Sequence, residues 1–309
     1  MLETVFSSSL PTGERLLLRK NRIRGRGGPG PRITVVTGMH GDGYEGQLVA
    51  YELARRLSDR EGALRGVVDI YPALNPLGMS VTTRGMPLFD LDLDRTFPGD
   101  AKGNTNEALA AAIVADIRGA NACVDIRSPD EQLREVSYVR IDEGFKKRLL
   151  PLAQVLNTQL IWVHKPTLAE RTSLSHTLNS LRTRTLTVWM GESLRITESF
   201  GSWVTEGILR LIELMGGWTA TSVSLPDARI ISDEDVSDVA VGASGMFLPR
   251  SEHGTHVEDG QPLGIVVDPQ AAKVVFEVRS PTSGLLMSLR SRPVVYPGSL
   301  VARVLGGVR

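Results

Sequence analysis

The stretch Ile33-Thr-Val-Val-Thr-Gly-Met-His-Gly-Asp-Gly-Tyr-Glu-Gly46 decides how this chain folds. Ile33 to Thr37 is a β-branched run that stops at Gly38, which is the pattern of a buried strand. A loop over residues 40–46 follows, and then Leu48, Val49, Tyr51, Leu53, Ala54 and Leu57 recur at helical spacing. Strand, loop and helix form the unit from which alternating α/β domains are built. Working outward, residues 15–19 have strand character ahead of a glycine-rich turn at 24–29. Residues 66–71, 122–126, 159–164 and 184–189 also read as strands. Residues 105–118, 145–156 and 198–215 read as helices, the first capped by Thr105 or Asn106. The expected fold class is α/β, a largely parallel or mixed sheet flanked by helices.

After Gly217 no helical period survives. Short strands between residues 239 and 305 are separated by turn signals at Glu252-His-Gly254, Glu258-Asp-Gly260, Pro281-Thr-Ser-Gly284 and Tyr296-Pro-Gly298. The chain is therefore divided into a domain of residues 1–220 and a small all-β domain of residues 221–309. The second resembles a half-barrel of the biotinyl/lipoyl type. The turn that would carry a lysine there reads Ser280-Pro-Thr-Ser-Gly284, so a structural cap or an oligomer contact is its expected role.

Acidic and basic residues balance at 35 each, and no block of like charges stands out. A nucleic-acid partner and a polybasic membrane role are excluded on that ground. The single cysteine, Cys123, excludes a disulfide framework and reads as a small buried hydrophobe. Residues 1–9 lack the basic start and apolar core of a signal peptide, and no apolar run is long enough to span a bilayer. A soluble cytoplasmic protein is expected.

Four segments, in this order, carry a resemblance. They are Gly38-Met-His-Gly-Asp-Gly-Tyr-Glu-Gly46, Asn75-Pro-Leu-Gly78 with Arg84, Asp92-Leu-Asp-Arg-Thr-Phe-Pro-Gly99, and Val124-Asp-Ile-Arg-Ser128. Together they resemble the succinylglutamate desuccinylase/aspartoacylase family, a branch of the zinc carboxypeptidase fold. The trailing β-domain is similar to that family as well. The resemblance implies amide hydrolysis at a zinc ion held by three protein ligands, with an open position for water. It also implies a glutamate that passes the water's proton to the departing amine, and arginines that bind the substrate carboxylate and the oxyanion.

Few of the implied roles are filled. His40 stands at the first ligand position. The second, a glutamate in the pattern His-Gly-Asp-Glu, is Gly43, and the third, a histidine, is Arg127. The substrate-side asparagine is Asp94, beside a retained Arg95, and the position of the catalytic glutamate is Trp189. One imidazole does not hold zinc, and Arg127 sets a permanent positive charge where the cation belongs. Water without the metal is not acidified into a nucleophile, and Trp189 neither accepts nor returns a proton. No catalytic residue is assigned, and no cofactor is expected, zinc only if the site is rearranged.

Arg84, Arg95 and Arg127 are expected to face the old cleft with Asp94. The favoured reading pairs Arg127 with Asp94 or Asp125, replacing the charge of the metal, because a buried arginine needs a partner. The sharper reading is an anion pocket for a small carboxylate. Asp42 and Glu45 beside His40, and Glu192 beyond Trp189, are weighed as replacement ligands or a surrogate base. The structural reading is preferred for Glu45, and a three-residue shift is expected to turn Glu192 away. His164, His176, His253 and His256 read as scattered, and Trp203 and Trp218 as core or interface packing. The expected function is that of a pseudoenzyme, a structural or regulatory subunit assembling with an active paralogue into an oligomer. The alternatives are an N-acyl amino acid deacylase with a rearranged or metal-free site, and a binding protein for a small acylated amino acid or other carboxylate.

Overall fold

The structure, a computed structural model, describes residues 1–87, 91–129, 132–220 and 227–307. Strands β1 (Leu2–Ser9), β2 (Arg15–Arg24) and β3 (Arg32–Val36) lead into helix α1 (Glu45–Asp59). Next come β4 (Val67–Tyr71), α2 (Pro76–Val81), α3 (Thr105–Ile117), β5 (Ala122–Arg127) and β6 (Leu133–Asp142). The α/β part closes with α4 (Lys146–Ala153), β7 (Leu160–His164), α5 (Leu174–Ser180), β8 (Thr185–Glu192) and α6 (Glu198–Leu214). Then only strands follow: β9 (Arg229–Ser232), β10 (Val236–Ala240), β11 (Gly245–Pro249), β12 (His256–Val257) and β13 (Pro262–Asp268). The last are β14 (Lys273–Arg279), β15 (Gly284–Arg290), β16 (Val294–Val295) and β17 (Leu300–Gly306).

The main sheet runs β1-β2-β4-β3-β5-β8-β6 and continues through β15-β17-β10, with β7 and β9 extending from β6. Strands β4, β3, β5 and β8 are parallel, whereas β6 lies antiparallel to β8 and parallel to β7. The sheet is thus mixed, with helices on both faces. Side chains alternate between the faces along each strand. Ile33, Val35, Val68, Ile70, Val124, Ile126, Leu186 and Val188 enter one core with residues of α1, α4 and α6. Val36, Tyr71 and Cys123 enter the other, with Leu109, Ile113 and Ile117 of α3. Burial of these apolar surfaces is the main drive to fold.

Toward β8, β6 and β7 the second face turns polar, and there the site lies. Strand β6 is not among the strands read from the sequence. Its apolar residues change face midway, Val136 and Tyr138 entering one cluster and Val139 and Ile141 another, and Glu135 and Ser137 are buried between them. Another local expectation is corrected at α3. Asn104, not Thr105 or Asn106, caps the helix, accepting from the N–H groups of Asn106 (3.0 Å) and Glu107 (3.1 Å). Glu107 accepts in turn from the Asn104 N–H at 2.8 Å, completing a capping box. Trp218 is buried as expected, but Trp203 is 43% exposed on α6.

The C-terminal strands do not stand apart. β15 pairs with β6 and β9 with β7, so they prolong the main sheet. A second, antiparallel sheet, β14-β13-β11-β16, closes over them around Phe247, Val266, Val278, Leu286, Val301 and Val304. The division drawn between residues 220 and 221 borders a stretch, 221–226, outside the described residues. Among the described residues no helix is long and apolar enough to cross a membrane.

Candidate functional site

A cavity of about 210 Å³ opens on the polar face of the sheet. His40, from the loop after β3, lines it together with Arg84, Asp92, Asp94 and Arg95 from the loops between α2 and α3. Arg127 and Trp189 arrive from β5 and β8. Strands β6 and β7 add Arg140, Asp142 and His164, and the segment into α5 adds Glu170, Ser173 and His176.

Arg127 is the most constrained of these groups. It sits two residues after Asp125 on β5, so both side chains share a face. Its Nε and Nη2 donate to Asp125 Oδ2 at 2.8 and 2.6 Å, and Nη2 also donates to Asp94 Oδ1 at 2.7 Å. Nη1 completes the fork on Asp94 Oδ2, and the guanidinium carbon lies 5.6 Å from the centroid of the Trp189 ring. Burial opposes the charge, but Asp125 and Asp94 outweigh it and hold Arg127 protonated. Burial likewise pushes the Asp125 carboxyl up, against the pull of Arg127. The ion pair therefore forms with both carboxylates at once.

His40 is buried, and its Nε2 lies 3.2 Å from Asp92 Oδ1. Burial would raise the Asp92 carboxyl, yet the contact with His40 and the Asp94 N–H hold it well below the ordinary carboxylate range. At Gly43 the backbone is not left-handed. A Cβ there would meet the His40 carbonyl oxygen at 3.3 Å and Ser128 Oγ at 3.5 Å, so a side chain fits with a small adjustment. Nothing in the fold demands glycine at this position.

The remaining arginines are also accompanied. Arg95 is 73% exposed with Nε 3.5 Å from Asp92. Arg84 Nη1 lies 3.8 Å from Asp42, a buried carboxylate neither of whose oxygens has a hydrogen-bond partner. Arg140 Nη2 pairs with Glu170 at 2.8 Å. Each arginine lining the cavity thus has a carboxylate beside it, and a carboxylate ligand would have to compete with an internal one.

His164 and His176 are not scattered, because both line the cavity with His40. His176 Nδ1 lies 3.0 Å from Asp142 Oδ2. Asp142 and His164 are register partners on β6 and β7. Burial first, then Arg140, holds His164 below the usual histidine range, hence neutral at pH 7. Recognising β6 would have set Arg140 and Asp142 on one face, but only its pairing with β7 and the turn into α5 bring the histidines to them. His256 stays in the β-domain near Glu258, at 3.7 Å, and His253 does not line the cavity.

Glu45 and Glu192 do not reach the cavity either. The Glu45 carboxylate accepts from the N–H groups of Glu192 (3.1 Å) and Thr197 (2.8 Å) and from Thr197 Oγ1 (2.9 Å). Gly191 makes room for it at φ 70°, where a Cβ would collide with that carboxylate. Burial pushes the Glu45 carboxyl up despite these bonds. Glu192 turns to Arg195, 3.4 Å away. Glu45 is accordingly a tie between α1 and the start of α6. Glu45→Ala should cost about 2–3 kcal/mol in urea unfolding by stranding its donors; a loss under about 0.5 kcal/mol would show the tie is idle.

The fold class is mixed α/β, a large sheet flanked by helices and prolonged by antiparallel C-terminal strands. The chain belongs to the succinylglutamate desuccinylase/aspartoacylase family: residues 29–215 match the model of its catalytic domain. Over 109 residues, 32% of this chain, it is 31% identical to the N-alpha-acetyl-L-2,4-diaminobutyric acid deacetylase of Halomonas elongata. That match spans 31% of the relative's length. Among solved structures, a succinylglutamate desuccinylase/aspartoacylase from Rhodobacter sphaeroides superposes with a TM-score of 0.85 at 20% identity, covering 100% of this chain and 96% of the other. The product-bound ectoine utilization protein EutE (DoeB) from Ruegeria pomeroyi gives 0.83 at 20% identity, covering 98% and 93%. At these identities the superpositions establish the fold.

Proposed function

We propose that this chain is a non-catalytic member of the family, a cytoplasmic structural or regulatory subunit that assembles with an active relative. The observation that carries the reading is the Arg127 fork, held by Asp94 and Asp125 at a position where the family resemblance calls for a metal-binding histidine. The residues at the ligand positions do not suit a zinc ion. His40 is engaged by Asp92, Gly43 offers no side chain, and Arg127 is a tethered cation. Among the described residues no group of three or more His, Cys, Asp or Glu is arranged to hold a metal. A rearranged enzyme would need Glu45 or Glu192 in the cleft, and both are committed elsewhere. A carboxylate-binding protein would have to draw Arg84 away from Asp42 or Arg95 away from Asp92.

Protein expressed with added zinc should contain less than about 0.1 ion per chain. It should also fail to hydrolyse N-acetyl-2,4-diaminobutyrate, the compound in the name of the Halomonas relative. Stoichiometric zinc would sink the proposal. Gly43→Glu combined with Arg127→His and Asp94→Asn should gain zinc, read as a rise in melting temperature on adding the metal. For the partnership, co-purification from the native source is decisive. Recovery of this chain without an active relative would count against it.

A further inference from the structure

The second sheet buries one face and leaves the other bare. Phe247, Val266 and Val295 point inward and are 0–1% exposed. Outward, Met246 lies opposite both Val294 and Val267, and Val267 lies opposite Val274. These four residues form an apolar row across all four strands. Beside it Leu248 faces Ile265 in the next row, and Tyr296 follows β16. The exposures are large: Val274 52%, Val294 54%, Met246 37%, Leu248 40% and Tyr296 66%. A sheet with one face on a core ordinarily shows water a polar outer face. A contiguous apolar patch on such a face marks an interaction surface.

We infer that this face docks a second copy of the chain, sheet face on sheet face, about a two-fold axis. Three observations choose that occupant. The Met246 row carries no charged side chain, and in the next row Glu277, opposite Ile265, is paired with Arg279 at 2.7 Å. A strongly charged partner finds no counter-charge at the centre of this row, whereas an apolar face is its own complement, as an isologous contact requires. The exposed area of these side chains comes to roughly 500 Å² per copy, so two copies bury about 1,000 Å², the floor for a specific protein interface. Finally, the core shared with β15 and β17 lies on the inner side of this sheet, so the bare face looks away from the α/β part. Docking there leaves the cavity open. The inference is independent of how the cavity is read.

Sedimentation of the full chain, expressed alone, tests it. The wild type should sediment at twice the chain mass by about 100 µM. The double variant Met246→Lys, Val294→Lys places charge at the centre of the contact and should weaken association at least ~100-fold, giving a monomer. Leu214→Lys, at an exposed apolar position on α6, should leave the dimer intact. Near-UV circular dichroism and the melting curve confirm that each variant is folded. A wild type that stays monomeric overturns the inference, as does a dimer that survives the double variant. A monomer that associates only when an active relative is co-expressed overturns the choice of occupant.

Discussion

Replacing Arg127 with methionine should destabilise the fold by about 3–5 kcal/mol, because it strands the carboxylates of Asp125 and Asp94 without their cation. Asp125 is fully buried, and its Oδ1 lacks a hydrogen-bond partner even in the intact protein. Arg127 supplies both hydrogen bonds to its Oδ2. Asp94 loses the fork as well and keeps the backbone N–H of Leu174, at 3.2 Å. Urea unfolding reads the cost as a lower midpoint. Adding Asp94→Asn and Asp125→Asn removes the stranded charges and should recover a large part of the loss. If Arg127→Met alone unfolds at the wild-type midpoint, the ion pair is not what holds this region.

An effect of similar size is expected where the two parts of the chain meet. Glu135 on β6 is buried and receives Arg303 of β17 at 2.6 Å and the Tyr138 hydroxyl at 2.9 Å. Arg303 also reaches Asp238 at 3.1 Å and lies 6.0 Å from the Trp162 ring. Arg303→Met should cost about 3–5 kcal/mol near neutral pH. Its pH dependence has a defined sign. Burial already raises the folded-state pKa of Glu135, and losing Arg303 raises it further. A carboxyl raised on folding costs stability above its folded pKa, and the cost is relieved as pH falls through that value. The deficit of Arg303→Met should therefore shrink as the pH is lowered toward 5. A pH-independent deficit would point to lost packing instead.

The parallel strands were legible because Ile33, Val35, Val124 and Ile126 obey a two-residue period on a buried face. Strand β6 was not, since its apolar residues change face between Tyr138 and Val139 and leave Glu135 and Arg140 to the β17 seam and the cavity. Gly43, Arg127 and Trp189 were singled out by motif order, at positions where the resemblance implies other residues. That Arg127 required a carboxylate followed from its burial, but only the fold shows it taking two. The grouping of His164 and His176 with Arg140 and Glu170 has no local signature, because strand pairing and a helix turn bring them together. In the β-domain, apolar residues occupy both faces of β11, so alternation does not tell which one is core.

One seam described above has a mechanical consequence. Residues Leu133 to Glu135 of β6 pair in register with Ser288 to Arg290 of β15, and the Ser291 N–H extends the ladder to the Gln132 carbonyl. The two cores are thus strung on one continuous ladder. The segment from Ala169 to Ser180 is held to the sheet by side-chain ties rather than by a ladder: the Leu174 N–H on Asp94, Glu170 on Arg140 and His176 on Asp142. Amide exchange should accordingly be faster there than at Ser288 to Arg290. The Asp94 carboxylate that restrains Arg127 is thus also the tie between the sheet and this wall of the cavity.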